Sequence, residues 1–384
     1  MKREICWVVS SPITVSAFLM GHLAGLSRRF DVTVMANTDR FDFLAPLGPG
    51  VQGVSIRIER KIAPLRDLVC LLRLARYFRR RKFAAVHSVT PKAGLLSMAA
   101  AFLARVPVRI HTFTGQVWAT RSGFSRRFLR ALDKTLAALA THIFVDSPSQ
   151  KAFLVNEKVV SEKKAKVLAH GSISGVDAGR FRPDPSARAE VRAALNLPEN
   201  ALVFLFVGRF TFDKGLTDLA RAFCALCEQH PGAHLVLVGP DEGGVLPEVR
   251  SLCPGLDHRI RHVGYTDEPE RYMAAADVFC LPSYREGFGA VIIEAAAAGI
   301  PAIGSRIYGV TDAIQDEITG LLHEPRDSRD LFEKMELLAR DEGMRREMGA
   351  RARERAVRDF SRQVVTGALL DFYASVLGPC TVPG

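Results

Sequence analysis

A chain of 384 residues is longer than one compact core ordinarily serves and suits two α/β domains. Hydrophobic residues at 48% and charged residues at 24% exclude a disordered or fibrous protein. No uninterrupted apolar run reaches the roughly 18 residues that span a bilayer; the stretch from Gly94 to Leu103 stops at Arg105. The net charge of +11 is unevenly placed: residues 1–200 hold 32 Lys and Arg against 14 Asp and Glu, whereas residues 201–384 hold 20 against 27. Residues 57–134 alone hold 18 against 3, a field that attracts a phospholipid surface, a diphosphate or nucleic acid. The last is not expected, because the region carries no recognisable nucleic-acid motif.

In chain order, Met1-Lys-Arg before an apolar stretch imitates a signal peptide. Glu4 and the Ser10-Ser11-Pro12 break instead predict a strand, a loop and a helix. Strands are predicted at 5–9, 32–36, 54–58, 84–87, 108–112 and 143–146, separated by stretches long enough for helices, which is the pattern of a parallel sheet covered on both faces. Gly, Ser, Asp and Pro cluster over residues 171–185 and predict the break between domains. Strands at 201–207, 235–238, 277–281 and 301–303 then repeat the theme, and an apolar-sided helix at about 362–376 is expected to cross back to the first domain. The expected division is 1–175, 176–360 and a returning helix over 361–384. Seven scattered cysteines predict no disulfide framework and suit a reducing cytoplasm; Cys224 and Cys227, a lone C-x-x-C inside a helix, read as buried apolar residues.

The strongest chemical signal is SYREGFGAVIIEAAAAG, residues 283–299. A strand ends, a loop carries Glu286, and Gly287, Phe288 and Gly289 precede a strongly helical run, where backbone can approach a ligand and free N–H groups favour phosphate. Glu294 lies eight residues beyond Glu286, so one carboxylate can meet sugar hydroxyls and the other ribose hydroxyls; an exposed helix position is the plainer reading of Glu294. Gly208-Arg-Phe-Thr-Phe-Asp-Lys-Gly215 follows the second domain's first strand and places Arg209 and Lys214 to neutralise a diphosphate and the charge of a leaving group. A solvated helix start is the alternative there. At His262-Val-Gly-Tyr-Thr-Asp267, the backbone around Gly264 and Tyr265 can pair with a base edge.

Together GRFTFDKG, HVGYTD and EGFG with its E-x7-E spacing resemble the large retaining GT-B glycosyltransferase family numbered four. GVDAGRFRP is similar to its interdomain stretch and FSRQVV to its last helix, so the likeness spans the chain. HSVTPKAGLL and HTFTGQVW resemble members that extend undecaprenyl-diphosphate-linked sugars for bacterial surface polysaccharides. The resemblance implies two Rossmann-like doubly wound domains facing a central cleft. It implies diphosphate contacts from Arg209 and Lys214, a sugar contact from Glu286 and a ribose contact from Glu294. It also implies transfer with retention from a nucleotide sugar, by inclination a UDP-linked N-acetylhexosamine. Where many relatives have His-Gly, this chain has Thr114-Gly115 with His111 three residues earlier, so His111 stands equally as a core residue or a site residue.

No two aspartates flank a single residue, so an Asp-x-Asp metal motif is missing; neither metal nor cofactor is expected. The non-hydrolysing nucleotide-sugar epimerases share this fold and are the competing class. In the first domain Ser11, Lys92 and Gly94 are expected to receive a lipid-linked saccharide acceptor, its diphosphate at the helix start after Thr90-Pro91. Arg73, Arg76, Arg79, Arg80, Arg81 and Lys82 lie on and just after an apolar helical run that includes Leu68, Leu71, Leu72 and Leu74, and Arg126, Arg127 and Arg130 stand beside Phe124 and Phe128. Such helices suit the anionic inner face of a cell membrane, or ordinary packing with solvated arginines.

Overall fold

The computed structural model describes residues 2–59 and 63–378, and the chain forms two compact units, Met1–Ser174 with Arg362–Gly384, and Gly175–Ser361. The first unit holds seven strands: β1 (Arg3–Val8), β2 (Phe30–Ala36), β3 (Val51–Ser55), β4 (Ala85–Val89), β5 (Val108–Phe113), β6 (His142–Val145) and β7 (Ala165–Val167). They form one parallel sheet in the order β3-β2-β1-β4-β5-β6-β7. The second unit repeats the plan with β8 (Leu202–Val207), β9 (Ala233–Val238), β10 (Ile260–Val263), β11 (Val278–Leu281), β12 (Ala302–Ser305) and β13 (Gly320–His323), ordered β10-β9-β8-β11-β12-β13. Both are doubly wound sheets whose winding reverses once, at β1/β4 and at β8/β11, and such folds bind ligands beyond the carboxyl ends of the strands at that point.

The expected strand at 54–58 lies three residues earlier. β3 pairs only with β2, and its register ends with Ala36 opposite Ser55, so Ile56 and Ile58 are buried without being strand. β7 and β13 were not anticipated; three and four residues make too short a run to stand out. Cys224 and Cys253, by contrast, form a disulfide, Cα atoms 5.7 Å apart, against the expectation of none. They are brought together by packing of the Leu216–Gln229 helix on Leu246–Leu252, a tertiary contact that cysteine spacing does not encode.

The Arg362–Leu377 helix belongs to the first unit. Leu369, Phe372, Tyr373 and Leu377 fill one face of its sheet with Ile5, Trp7, Phe30 and Val34. Two buried histidines tie it down: His22 Nδ1 lies 2.9 Å from Thr366 Oγ1, and His87 Nδ1 3.0 Å from the Tyr373 hydroxyl. Burial depresses both imidazoles, His22 to about 4, so each is a neutral hydrogen-bonding group at physiological pH.

Candidate active site

At the second unit's switch point, β8 runs into residues 208–215 and β11 into residues 282–289. The two loops approach as bare backbone. Gly215 is left-handed (φ +68), and a Cβ there would stand 2.0 Å from the Pro282 carbonyl oxygen; a Cβ at Gly239 would stand 1.9 Å from that of Gly208. Gly289, also left-handed at φ +78, starts the Ala290–Ala297 helix. The loops thus carry glycine where any side chain would force them apart.

This approach brings Lys214 and Glu286 together. Lys214 Nζ lies 2.5 Å from Glu286 Oε1, both side chains mostly buried, although 72 residues separate them. Arg209 is exposed and donates to Glu242 at 3.0 Å, so the loop after β9 supplies a counter-charge that the sequence did not reveal. The expected diphosphate clamp is therefore two cations, each held by a carboxylate. Glu294 is half-buried in its helix, within the electrostatic reach of Arg180. Arg180 pairs with Glu270 at 2.8 Å and donates to the Asp267 carbonyl, which adds the GVDAGRFRP string to the site. Phe288 can meet a donor only through its backbone: the residue is 3% exposed and its ring packs on Phe360, 5.2 Å between ring centroids. Gly264 and Tyr265 follow the edge strand β10 and are exposed; the Tyr265 hydroxyl donates to Asp267. Phe210 lies against His262, 5.2 Å between centroids, and links this edge to the β8 loop.

In the first unit, the switch point joins the ends of β1 and β4 through Ser10 Oγ and Thr90 Oγ1, 3.0 Å apart. Ser11 is half-buried beside it, with its hydroxyl not engaged as a helix cap. Lys92 is ion-paired to Asp67 at 2.7 Å, a partner on the Pro64–Arg81 helix. The Gly94 amide donates to the Thr90 carbonyl, so it cannot also receive a diphosphate, and the glycine serves packing instead: a Cβ would stand 2.4 Å from the His111 ring. His111 itself is 1% exposed, held by Ser88 Oγ at 2.9 Å from Nδ1 and packed edge-on to Phe113. Burial lowers it to about 3, so the imidazole is a neutral, buried hydrogen-bonding group at physiological pH. The Thr114 carbonyl accepts from Gln116 at 2.7 Å and from the buried Gln150 at 2.8 Å, so Gln150 shapes that loop from 36 residues away.

Two doubly wound units, the second presenting a glycine-lined switch point with paired charges, have the architecture of the GT-B fold. Residues 15–171 match the family described as glycosyl transferase 4-like domain, and residues 187–355 that described as glycosyl transferases group 1. The chain is 32% identical over 323 residues to the capsular polysaccharide biosynthesis glycosyltransferase CapM of Staphylococcus aureus, covering 84% of each. It is 28% identical, over 70% of this chain and 69% of the other, to a UDP-Gal:alpha-D-GlcNAc-diphosphoundecaprenol alpha-1,3-galactosyltransferase of Escherichia coli. In fold it matches HepE of Anabaena, solved with UDP and glucose, at a TM-score of 0.81 and 18% identity over 97% of this chain and 99% of that one. The chain belongs to the group 1 glycosyltransferases and is an enzyme of glycosyl transfer.

Proposed function

We propose that this enzyme moves a sugar, first choice an N-acetylhexosamine, from a UDP-linked donor to a lipid-linked saccharide with retention, in the synthesis of a cell-surface polysaccharide. The observation that carries the reading is the Lys214–Glu286 pair where β8 and β11 end, a cation and a carboxylate set side by side for a diphosphate and its sugar. The lipid-linked acceptor is supported by similarity to a galactosyltransferase named for such a substrate. Lys214, Arg209 and the amides opening the Ala290–Ala297 helix would stabilise the departing diphosphate, and a donor phosphate oxygen would take the acceptor proton on the same face. Transfer would need no metal ion, because Lys214 and Arg209 supply the positive charge at the diphosphate. Both family matches are to transferases, which favours transfer over epimerisation.

The test is incubation with UDP-N-acetylhexosamines and a diphosphate-linked lipid saccharide in excess EDTA. Glycosylated lipid with undiminished rate is expected. Activity abolished by chelation and restored by magnesium would refute metal independence, and sugar conversion without acceptor would favour an epimerase.

We infer an anionic membrane surface as a further partner. Among the described residues no helix is long and apolar enough to cross a membrane. The Pro64–Arg81 helix buries Leu74 and Phe78 but exposes Leu65, Leu68, Val69 and Leu72, with Arg73, Arg76, Arg79 and Arg80 also exposed. On the Gly123–Leu139 helix Phe124 and Phe128 are exposed. Part of the basic cluster is already neutralised: Arg81 pairs with Glu4 at 3.0 Å, and Arg126 and Arg130 share Glu157 at 2.5 and 2.6 Å. Docking thus falls to apolar insertion plus the remaining arginines, each worth about 1 kcal/mol near an anionic surface. Sedimentation should show binding to anionic vesicles that weakens with salt, with Arg79→Glu/Arg80→Glu and with Leu68→Ser/Leu72→Ser. Equal binding to neutral vesicles, or none at low salt, would leave these as ordinary surface.

A further inference from the structure

The loop that carries Glu286 is fastened to the helix start beside Lys214 by contacts that use neither of those residues. The Tyr284 hydroxyl donates to the Asp218 carboxylate at 2.7 Å, and Asp218 is 5% exposed in the first turn of the Leu216–Gln229 helix. The Tyr284 amide donates to the Asp213 carbonyl at 2.8 Å, and the Arg285 guanidinium donates to the Asp213 carboxylate at 2.8 Å. Over the Tyr284 ring lies the Arg326 guanidinium, 4.5 Å from the centroid, with the Phe212 ring 5.5 Å away. A buried carboxylate is costly unless hydrogen-bonded, and the phenol hydroxyl is what satisfies Asp218 Oδ2. Tyr284 stands two residues before Glu286, so a shift of the ring passes along two peptide units to that carboxylate.

We propose that Tyr284 and Asp218 are positioning residues that set the Glu286 carboxylate for the transferred sugar, while the nucleoside diphosphate is held by contacts that do not depend on them. This rests on the reading of Glu286 as the sugar contact. The pair would then govern how well the enzyme distinguishes a nucleotide sugar from the bare nucleoside diphosphate. The Asp218–Tyr284 bond joins two chain segments 66 residues apart, and losing it would let the Glu286 loop wander while the Lys214 turn stays in place.

The test compares Tyr284→Phe, Asp218→Asn and Asp218→Ala. Phenylalanine keeps the ring beneath Arg326 but leaves the Asp218 carboxylate without the phenol, whereas the asparagine carbonyl can still accept from it. The melting temperature of each variant is therefore measured beside its rate, to separate lost stability from lost positioning. Tyr284→Phe and Asp218→Ala should lower kcat about tenfold, the effect of one lost hydrogen bond on geometry, with UDP affinity changed less than about twofold. Asp218→Asn should restore most of the rate. Tyr284→Phe combined with Glu286→Ala should be no slower than Glu286→Ala alone. Loss of UDP affinity in step with kcat, or fully additive losses in the double variant, would overturn the proposal and leave the pair as a structural brace. If Glu286→Ala slows transfer but Tyr284→Phe does not, positioning fails while the sugar site stands. Transfer unaffected by Glu286→Ala would overturn both.

Discussion

Replacing Lys214 with alanine should weaken nucleotide-sugar binding by at least about tenfold, more than any other single side-chain truncation in the site. Two effects add. The diphosphate loses a charge-assisted hydrogen bond worth about 1.5–3 kcal/mol, where about 1.4 kcal/mol is tenfold. Glu286, 2.5 Å from Lys214 in the intact enzyme, is also left as an unpaired carboxylate facing an anionic ligand. The second effect makes the prediction specific: adding Glu286→Ala to Lys214→Ala should recover part of the lost UDP affinity. Glu294→Ala should cost a similar hydrogen bond at the ribose without any such recovery, and Glu286→Ala alone should act mainly on turnover. Calorimetric titration with UDP and UDP-sugar separates these effects. Unchanged donor affinity in both the Lys214 and Glu294 variants would refute the site assignment.

Gly215→Ala should remove donor binding more broadly, although it deletes no charge. A left-handed residue with a side chain costs about 1–3 kcal/mol of strain by itself. The larger effect is steric. A Cβ 2.0 Å from the Pro282 carbonyl cannot be accommodated by a side-chain adjustment, because the opposing atom is backbone. The loops after β8 and β11 must separate, and with them Lys214 and Glu286. The expected result is a lowered melting temperature together with at least a tenfold loss of UDP-sugar affinity. Gly232→Ala, at a site with open space around the added carbon, serves as the neutral control. Donor affinity unchanged in Gly215→Ala would mean that the two loops bind independently.

How much of this was legible in the sequence varies residue by residue. Val- and Ile-rich runs separated by helical stretches indicated parallel sheets, and GRFTFDKG and SYREGFG were placed at strand ends, where β8 and β11 put them. Partnerships were harder. The counter-ions of the basic residues lie far along the chain: Glu4 is 77 residues from Arg81, Glu157 31 from Arg126, and Glu242 33 from Arg209. Charge counts therefore overstated the free positive charge of residues 57–134. His111 could not be placed, because a strand end shows which residues alternate but not which helix covers each face. Only the fit of Gly94 against its ring shows that His111 points under the Pro91–Leu103 helix. Tyr284 and Asp218 carried no local signal, since each is meaningful only through the other.

Hydrogen–deuterium exchange with and without a UDP-sugar tests the central claim most directly, because it reports where the ligand acts rather than whether it binds. Backbone amides lose protection where local structure opens and gain it where a ligand holds the chain. Protection is expected in residues 208–215 and 282–294, with β4 to β6 of the first unit unchanged. Protection confined to the first unit, or absent from both of those loops at saturating ligand, would contradict a nucleotide-sugar site at the ends of β8 and β11.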